Sequence, residues 1–149
     1  MSSSKGPMLV PDTNILLNAE NRASQHHEAS LNWLEAAGNG RVALAIPSIV
    51  LFGFVRIVTN PRLTGNAMTP AAAFAVCDAI RSMPAFEPLR EGPAHWRIFQ
   101  RIADSAVISG GDLTDAYLAA FAIEHDATFV TFDRGFARFP GLKVLIPAL

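Results

Sequence analysis

The feature of this sequence that most limits its fold is the alternation of short apolar runs with longer segments of helical spacing. Five such runs are predicted to be strands: residues 8–10, 42–46, 85–89, 128–132 and 143–147. Strands that are separated by helices form parallel sheets whose two faces are both covered. We therefore predict an α/β fold, with a central parallel sheet of about four to five short strands flanked by helices on both faces.

Local start and stop signals indicate where the helices lie. Ser24 is a candidate N-cap, and Gly38 follows the end of the same helical pattern. Proline at the first position of a helix loses no hydrogen bond, so Thr69-Pro70 is a strong start signal. Further helices are predicted after Pro47, ending at Asn60-Pro61, after Pro93, and from Asp112 to about residue 126.

The size and composition of the chain fit one domain. It has 149 residues, half of them hydrophobic, and a net charge of −1, so no global attraction to nucleic acid is indicated. We interpret residues 1–7 as a flexible leader or a cloning remnant, and residues 8–149 as a single domain. No apolar run reaches the roughly 18 residues of a membrane span. The single cysteine, Cys77, is expected in the core, and the cytoplasm is the expected compartment.

Three aspartates follow predicted strands or begin a predicted helix. Asp12 follows the first strand, Asp133 follows the fourth, and Asp115 lies in the first turn of the helix near Asp112. Ligand sites in parallel α/β sheets lie beyond the carboxyl ends of the strands, so the three side chains could meet there. Each has a structural alternative: Asp12 as a turn or cap residue, Asp115 as a first-turn acid after a capping Asp112, and Asp133 as a turn residue.

Three carboxylates at one edge of a sheet would repel one another unless a cation offset their charge. Hard oxygen ligands suit Mg²⁺, with Mn²⁺ as a substitute. Such an ion polarises a phosphate and lowers the pKa of a bound water. The residues therefore indicate metal-dependent phosphodiester hydrolysis, and by themselves they do not separate RNA from DNA as the substrate.

Three longer motifs strengthen this hypothesis: "LVPDTNILLNA", "GFVRIVTNPR" and "DLTDAYLAAFAIEHDATFVTFDRGFARFPGL". Together they resemble the successive signatures of PIN domains, and most closely those of VapC toxins from type II toxin–antitoxin pairs. The resemblance runs from Met8 to the C-terminus. It implies a PIN-like fold and a Mg²⁺- or Mn²⁺-dependent endoribonuclease that cuts RNA. It also implies a VapB-type antitoxin as partner and a homodimer.

The resemblance also suggests roles for particular residues. It implies that the catalytic, metal-holding cluster is Asp12, Asp115 and Asp133. Positions that commonly help to hold such a site correspond here to Thr13, Asn14 and Thr131. Because the net charge is near zero, contacts with the RNA backbone must be local, and the candidate RNA-binding residues are Arg134, Arg56 and Arg138.

Two glycines depart from the family pattern. Many relatives have an acid where this chain has Gly53, and many read "DRDF" where this chain reads "DRGF" with Gly135. We therefore expect one tightly held ion rather than two. Gly53 is interpreted as leaving room for a metal-bound water or the substrate backbone, with a vestigial site as the alternative. The rival function is a catalytically weakened PIN module that binds RNA or antitoxin without cleavage.

Other residues receive structural interpretations. The helix around Gly53 is apolar nearly all round, and we expect it to be buried within the monomer, with a dimer or antitoxin contact as the alternative. His26 and His27 are predicted to be surface residues. His95 is predicted to be a helix-start or packing residue.

Overall fold

The computed structural model describes residues 7–106 and 110–148. Residues 1–6, which make up most of the predicted leader, lie outside this part. The elements in chain order are β1 (Met8–Pro11), α1 (Thr13–Glu20), α2 (His27–Gly38), β2 (Ala43–Pro47), α3 (Ser48–Val58), α4 (Pro70–Arg81), β3 (Phe86–Leu89), α5 (His95–Ser105), α6 (Asp112–Glu124), β4 (Thr128–Val130), a 3₁₀ helix (Arg134–Arg138) and β5 (Lys143–Leu145).

The five strands form one sheet in the order β3-β2-β1-β4-β5, and every neighbouring pair is parallel. This confirms the predicted α/β architecture. The chain first builds outward from β1 to β3, then returns through α5 and α6 to place β4 on the other side of β1. Right-handed crossovers in opposite directions put their helices on opposite faces of the sheet. The reversal makes the boundary between β1 and β4 the switch point of the sheet, and such folds bind their ligands at the carboxyl end of this point.

Most element boundaries agree with the local signals. The Thr69 hydroxyl accepts a hydrogen bond from the Ala72 backbone N–H at 3.1 Å, with Pro70 as the first residue of α4. Strand β3 contains Pro88 and lies at the sheet edge, where a missing N–H is tolerated. Ser24 instead accepts from the backbone N–H of His26 at 3.0 Å, so it stabilises the turn that precedes α2.

Helix α1 was not predicted. It has only eight residues, and it begins directly after β1 with no intervening loop. Asp12 stands at its N-cap position, yet in the described structure the Asp12 side chain makes no capping hydrogen bond. The alternative interpretation of Asp12 as a side-chain cap is therefore wrong, because its carboxylate is used elsewhere.

The prediction that α3 is buried within the monomer is wrong for one of its faces. Val50, Leu51, Phe54 and Val58 are buried, whereas the side chain of Phe52 is 63% exposed. The reason is that α3 packs on α1, α4 and β2. These contacts leave Phe52 on an open face of the helix.

The other core predictions are confirmed. Cys77 is buried as a free thiol, and His95 is buried, with its ring against Tyr117 and Phe121. The largest fully buried side chains include Phe54, on α3, and Phe129, on β4 next to the central strand β1. Within residues 7–106 and 110–148, no helix combines the length and apolar character needed to cross a membrane.

Candidate active site

The pairing of β1 with β4 brings together residues that are more than a hundred positions apart. Pro11 is in register with Val130, so the residues that follow them emerge side by side at the carboxyl edge of the sheet. The backbone N–H of Asp12 donates to the Val130 carbonyl at 2.8 Å. The Thr131 hydroxyl donates to Oδ2 of Asp12, also at 2.8 Å.

Thr131 is the centre of a hydrogen-bond network. Its Oγ1 accepts from Nδ2 of Asn14 at 3.1 Å and from the backbone N–H of Asp133 at 3.0 Å. Oδ1 of Asn14 accepts in turn from the backbone N–H of Phe132 at 3.4 Å. The structure thus brings Asn14 and Thr131, both predicted as supporting residues, into contact with the segment that carries Asp12 and Asp133.

Asp12 is a buried carboxylate with 8% of its surface exposed. Burial is the main reason that its pKa rises from the ordinary 3.8 to about 6, and the negative charges of Asp115 and Asp133 raise it further. Hydrogen bonds from the Thr131 hydroxyl and the Thr13 backbone lower the pKa without cancelling the increase. Among the described residues, no cationic side chain forms an ion pair with Asp12, so the ionised form of its carboxylate is destabilised.

Asp133 and Asp115 lie on the outer side of the same site. Asp133 is exposed, and its Oδ1 accepts from the Gly135 backbone N–H at 2.8 Å, which caps the 3₁₀ helix. Asp115 is half-buried in the first turn of α6. Burial is the main cause that raises the pKa of Asp115, Arg138 lowers it, and Asp133 and Asp112 raise it. The negative charge of Asp133 therefore lies close enough to raise the pKa of both Asp12 and Asp115.

Arg138 occupies the exposed side of this cluster. Its Nη2 lies 3.5 Å from Oδ2 of Asp115 and 3.8 Å from Oδ1 of Asp112. Nη1 donates to the Gly135 carbonyl, and the guanidinium carbon is 4.3 Å from the centre of the Phe139 ring. The predicted capping role of Asp112 is wrong, because its carboxylate faces Arg138 and α6 has Gly111 as its N-cap.

The carboxylates of these acids lie further apart than the ligands of a bound metal ion would. In the part of the chain that the structure describes, no three His, Cys, Asp or Glu side chains are grouped closely enough to hold a metal ion as they stand. The donor chemistry nevertheless fits a hard divalent cation, because every candidate ligand is a carboxylate oxygen. A cation would also offset the unfavourable charge of Asp12, whereas a purely structural role would leave that charge uncompensated.

The two glycines at which the resemblance implies a departure from the family pattern have different surroundings. A Cβ at Gly53 would lie 3.1 Å from Oγ1 of Thr13, so the space beside this glycine is filled by the Thr13 side chain. The glycine allows α3 and α1 to approach closely, and the interpretation that it leaves room for a metal-bound water or the substrate backbone stays a prediction. A Cβ at Gly135 would lie 3.0 Å from both Nη1 of Arg138 and Oδ1 of Asp133.

The other predicted arginines are exposed. Arg134 follows Asp133 directly, and Arg56 lies on α3, one turn from Gly53 and therefore on the same face. Both side chains are therefore accessible to a polyanion. Arg138 differs because its side chain already contacts carboxylates.

His26 makes a contact with Phe132 that the sequence did not predict. Its ring stacks on that of Phe132, with centroids 4.1 Å apart and planes 15° from parallel. The residue is half-buried rather than on the surface, and its Nδ1 is buried with no hydrogen-bond partner among the described residues. No local signal could reveal this contact, because Phe132 is separated from His26 by most of the chain. His27 is also half-buried, and its Nδ1 lies 3.0 Å from the Asn18 carbonyl.

Comparison with known proteins agrees with this architecture. The PIN domain family model matches residues 9–142, and the chain belongs to the PIN domain family. Within that family it belongs with the VapC ribonucleases. It is 39% identical over 136 residues to VapC ribonuclease Mb2897 of Mycobacterium bovis, which covers 91% of this chain and 92% of that protein. It is 32% identical over 142 residues to ribonuclease VapC31 of Mycobacterium tuberculosis, covering 95% and 100%.

Solved structures with the same fold include toxin–antitoxin complexes. A chain in the DNA-bound VapBC2 complex of Rickettsia felis superposes with a TM-score of 0.71 at 22% identity, covering 95% of this chain and 99% of that one. A chain of the DNA-bound VapBC complex of Salmonella typhimurium gives a TM-score of 0.65 at 19% identity, covering 95% and 98%. At these identities the similarity concerns the fold.

Proposed function

We propose that this chain is a divalent-metal-dependent endoribonuclease toxin that hydrolyses RNA phosphodiester bonds. The observation that carries the proposal is the buried Asp12 carboxylate, which has a raised pKa and is electrostatically coupled to Asp115 and Asp133 at the switch point of the sheet. A structural carboxylate in this position would be expected to have a cationic partner. The names of the VapC relatives support ribonuclease activity and RNA as the substrate.

The acids would hold Mg²⁺ or Mn²⁺, which when bound polarises the scissile phosphate and lowers the pKa of a water. The neighbouring residues position the acids. Thr131 donates to Asp12 and thereby orients its carboxylate, and Asn14 holds the segment after β4 through Thr131 and Phe132. Arg134 and Arg56 are the exposed cations that we assign to the RNA backbone.

The test combines a metal series with matched variants. Purified protein is incubated with structured RNA in Mg²⁺, Mn²⁺ or EDTA, and the products are resolved on a gel. Cleavage is expected in either metal and is expected to disappear in EDTA and in Asp12→Asn. Asp126→Asn, which makes the same chemical change at a residue whose side chain is 91% exposed, is expected to cleave like the wild type. Equal RNA loss in all arms would mean a contaminating nuclease and would contradict the proposal.

A second candidate is the non-catalytic PIN module. It is favoured by Gly53 and Gly135, which replace acids of the family pattern, and by the loose grouping of the remaining acids. This function predicts RNA binding without detectable binding of Mn²⁺ at millimolar concentration. A parallel assay with single- and double-stranded DNA separates a deoxyribonuclease from both candidates.

We also propose that the chain works in the cytoplasm as a homodimer that a VapB-type antitoxin neutralises. The VapBC complexes among the structural neighbours support the antitoxin, and the exposed Phe52 on α3 supports an interface there. Phe52→Ser is expected to lower the mass measured by light scattering from dimer to monomer. Leu145→Ser, at a 40% exposed residue of the edge strand β5, serves as the control. An unchanged mass in Phe52→Ser would place any dimer interface elsewhere.

A further inference from the structure

We propose that Arg138 is an intramolecular competitor for the metal site, which holds Asp115 when no divalent ion is bound and must release it when one binds. The inference rests on the proposed function, because it assumes that Asp115 is a ligand. It assigns Arg138 a role different from that of an RNA-binding arginine.

The position of the Arg138 guanidinium supports this role. It reaches Oδ2 of Asp115 at 3.5 Å and Oδ1 of Asp112 at 3.8 Å, so it lies between the two acids of the first turn of α6. The same group donates to the Gly135 carbonyl and stacks over Phe139. These four contacts hold the cation next to Asp115, where a positive charge disfavours the approach of a second one.

The absence of a side chain at Gly135 leaves space for the Arg138 guanidinium in this position. A Cβ at this position would lie 3.0 Å from Nη1 of Arg138, which is tighter than ordinary van der Waals contact. The glycine therefore does more than omit a carboxylate of the family pattern. It provides the space in which Arg138 folds back along the 3₁₀ helix towards Asp115.

The exposure of the pair shows that the competition must be mild. The side chains of Arg138 and Asp115 retain 32% and 29% of their accessible surface. Ion pairs with this degree of exposure change an equilibrium constant by at most about fivefold. Arg138 would thus raise the metal concentration that the site needs without preventing binding.

The test measures Mn²⁺ binding directly, by isothermal titration calorimetry of the full chain without RNA in 0.15 M salt. Arg138→Gln is expected to bind Mn²⁺ about two- to fivefold more tightly than the wild type. Arg134→Gln removes the same charge four residues away, next to Asp133. If the contact with Asp115 matters rather than the net charge, Arg134→Gln should change the affinity by less than half as much.

A double-mutant cycle isolates the contact. In an Asp115→Asn background, Arg138→Gln is expected to leave the Mn²⁺ affinity unchanged, and thermal melts confirm that each variant is folded. Equal tightening by Arg138→Gln and Arg134→Gln, or unchanged affinity in Arg138→Gln, would overturn the inference while leaving the proposed function standing. A wild-type chain that binds no Mn²⁺ would overturn both.

Discussion

The two halves of the acidic site are built in different ways. The inner half consists of Asp12, Asn14 and Thr131, which are joined by hydrogen bonds of 2.8 and 3.1 Å across the β1–β4 pair. The outer half consists of Asp115, Asp112 and Arg138, which are joined by half-exposed ion pairs of 3.5 and 3.8 Å. The sheet therefore preorganises the inner half, whereas the exposed ion pairs of the outer half leave its side chains free to rearrange.

The preorganised half reduces stability. A folded-state pKa of about 6 for Asp12, against 3.8 when unfolded, means that the native state binds the proton more tightly. Protonated Asp12 therefore causes no loss of stability below about pH 4. As the pH rises from about 4 through 6, Asp12 ionises more readily in the unfolded chain, and the free energy of unfolding falls. Above that range the ionised, buried Asp12 lowers the free energy of unfolding by about 3 kcal/mol.

The largest effect is expected from Asp12→Asn. Removing the buried charge should raise the free energy of unfolding by about 2–3 kcal/mol at pH 7.5 without metal. The same change should reduce RNA cleavage by about 100-fold or more, because a metal site supplies several kcal/mol of charge stabilisation. Urea melts at pH 4 and 7.5 test the stability claim, since the gain should shrink towards pH 4. A variant that is less stable at pH 7.5 would contradict the interpretation of Asp12 as an uncompensated charge.

The second-largest effect is expected from a substitution at Thr131, the centre of the hydrogen-bond network in the inner half. Thr131→Val keeps the side-chain shape but removes the hydroxyl that donates to Asp12 and accepts from Asn14. Loss of a group that orients a metal ligand typically lowers metal affinity or activity by about 10–100-fold. Thr128→Val, the same substitution at the start of β4, is the control. Calorimetric Mn²⁺ affinity and initial cleavage rates should fall only in Thr131→Val, and equal rates in the two variants would show that the inner half is not preorganised as described.

A smaller effect is expected where α3 approaches α1. Gly53→Ala should gain about 1 kcal/mol in helix propensity. The new Cβ would lie 3.1 Å from Oγ1 of Thr13, and the crowding should offset part of that gain. The net change in the free energy of unfolding is therefore expected to stay within about 1 kcal/mol of zero, as measured by urea denaturation. A loss well beyond this would mean that Thr13 cannot move and that the approach of α1 and α3 is tighter than the geometry indicates.

The smallest effect is expected from Asp112→Asn in the outer half. Asp112 keeps 61% of its side-chain surface and meets Arg138 only at 3.8 Å. An ion pair this long and exposed contributes about 0.5 kcal/mol or less, so the free energy of unfolding should change by no more than that and the cleavage rate by no more than about twofold. A large loss of cleavage in this variant would mean that Asp112 rather than Asp115 is the ligand from α6, which a side-by-side assay with Asp115→Asn would reveal.

Several elements of this fold could be predicted from local sequence patterns alone. Apolar runs indicated all five strands, Thr69-Pro70 marked the start of α4, and three strand-end or first-turn aspartates indicated one acidic edge. These predictions succeeded because burial patterns and capping preferences act over a few residues. The family resemblance added the supporting residues Asn14 and Thr131.

The contacts between these elements could not be predicted in this way and are seen only in the folded chain. The position of β4 beside β1 joins Asn14 to Thr131 and His26 to Phe132. Packing of α3 on α1 and α4 leaves Phe52 outside. The fold of the chain after β4 brings Arg138 back to Asp115. The physical reason is that these contacts join residues far apart in the chain, whose meeting depends on strand order and helix packing rather than on local sequence preference.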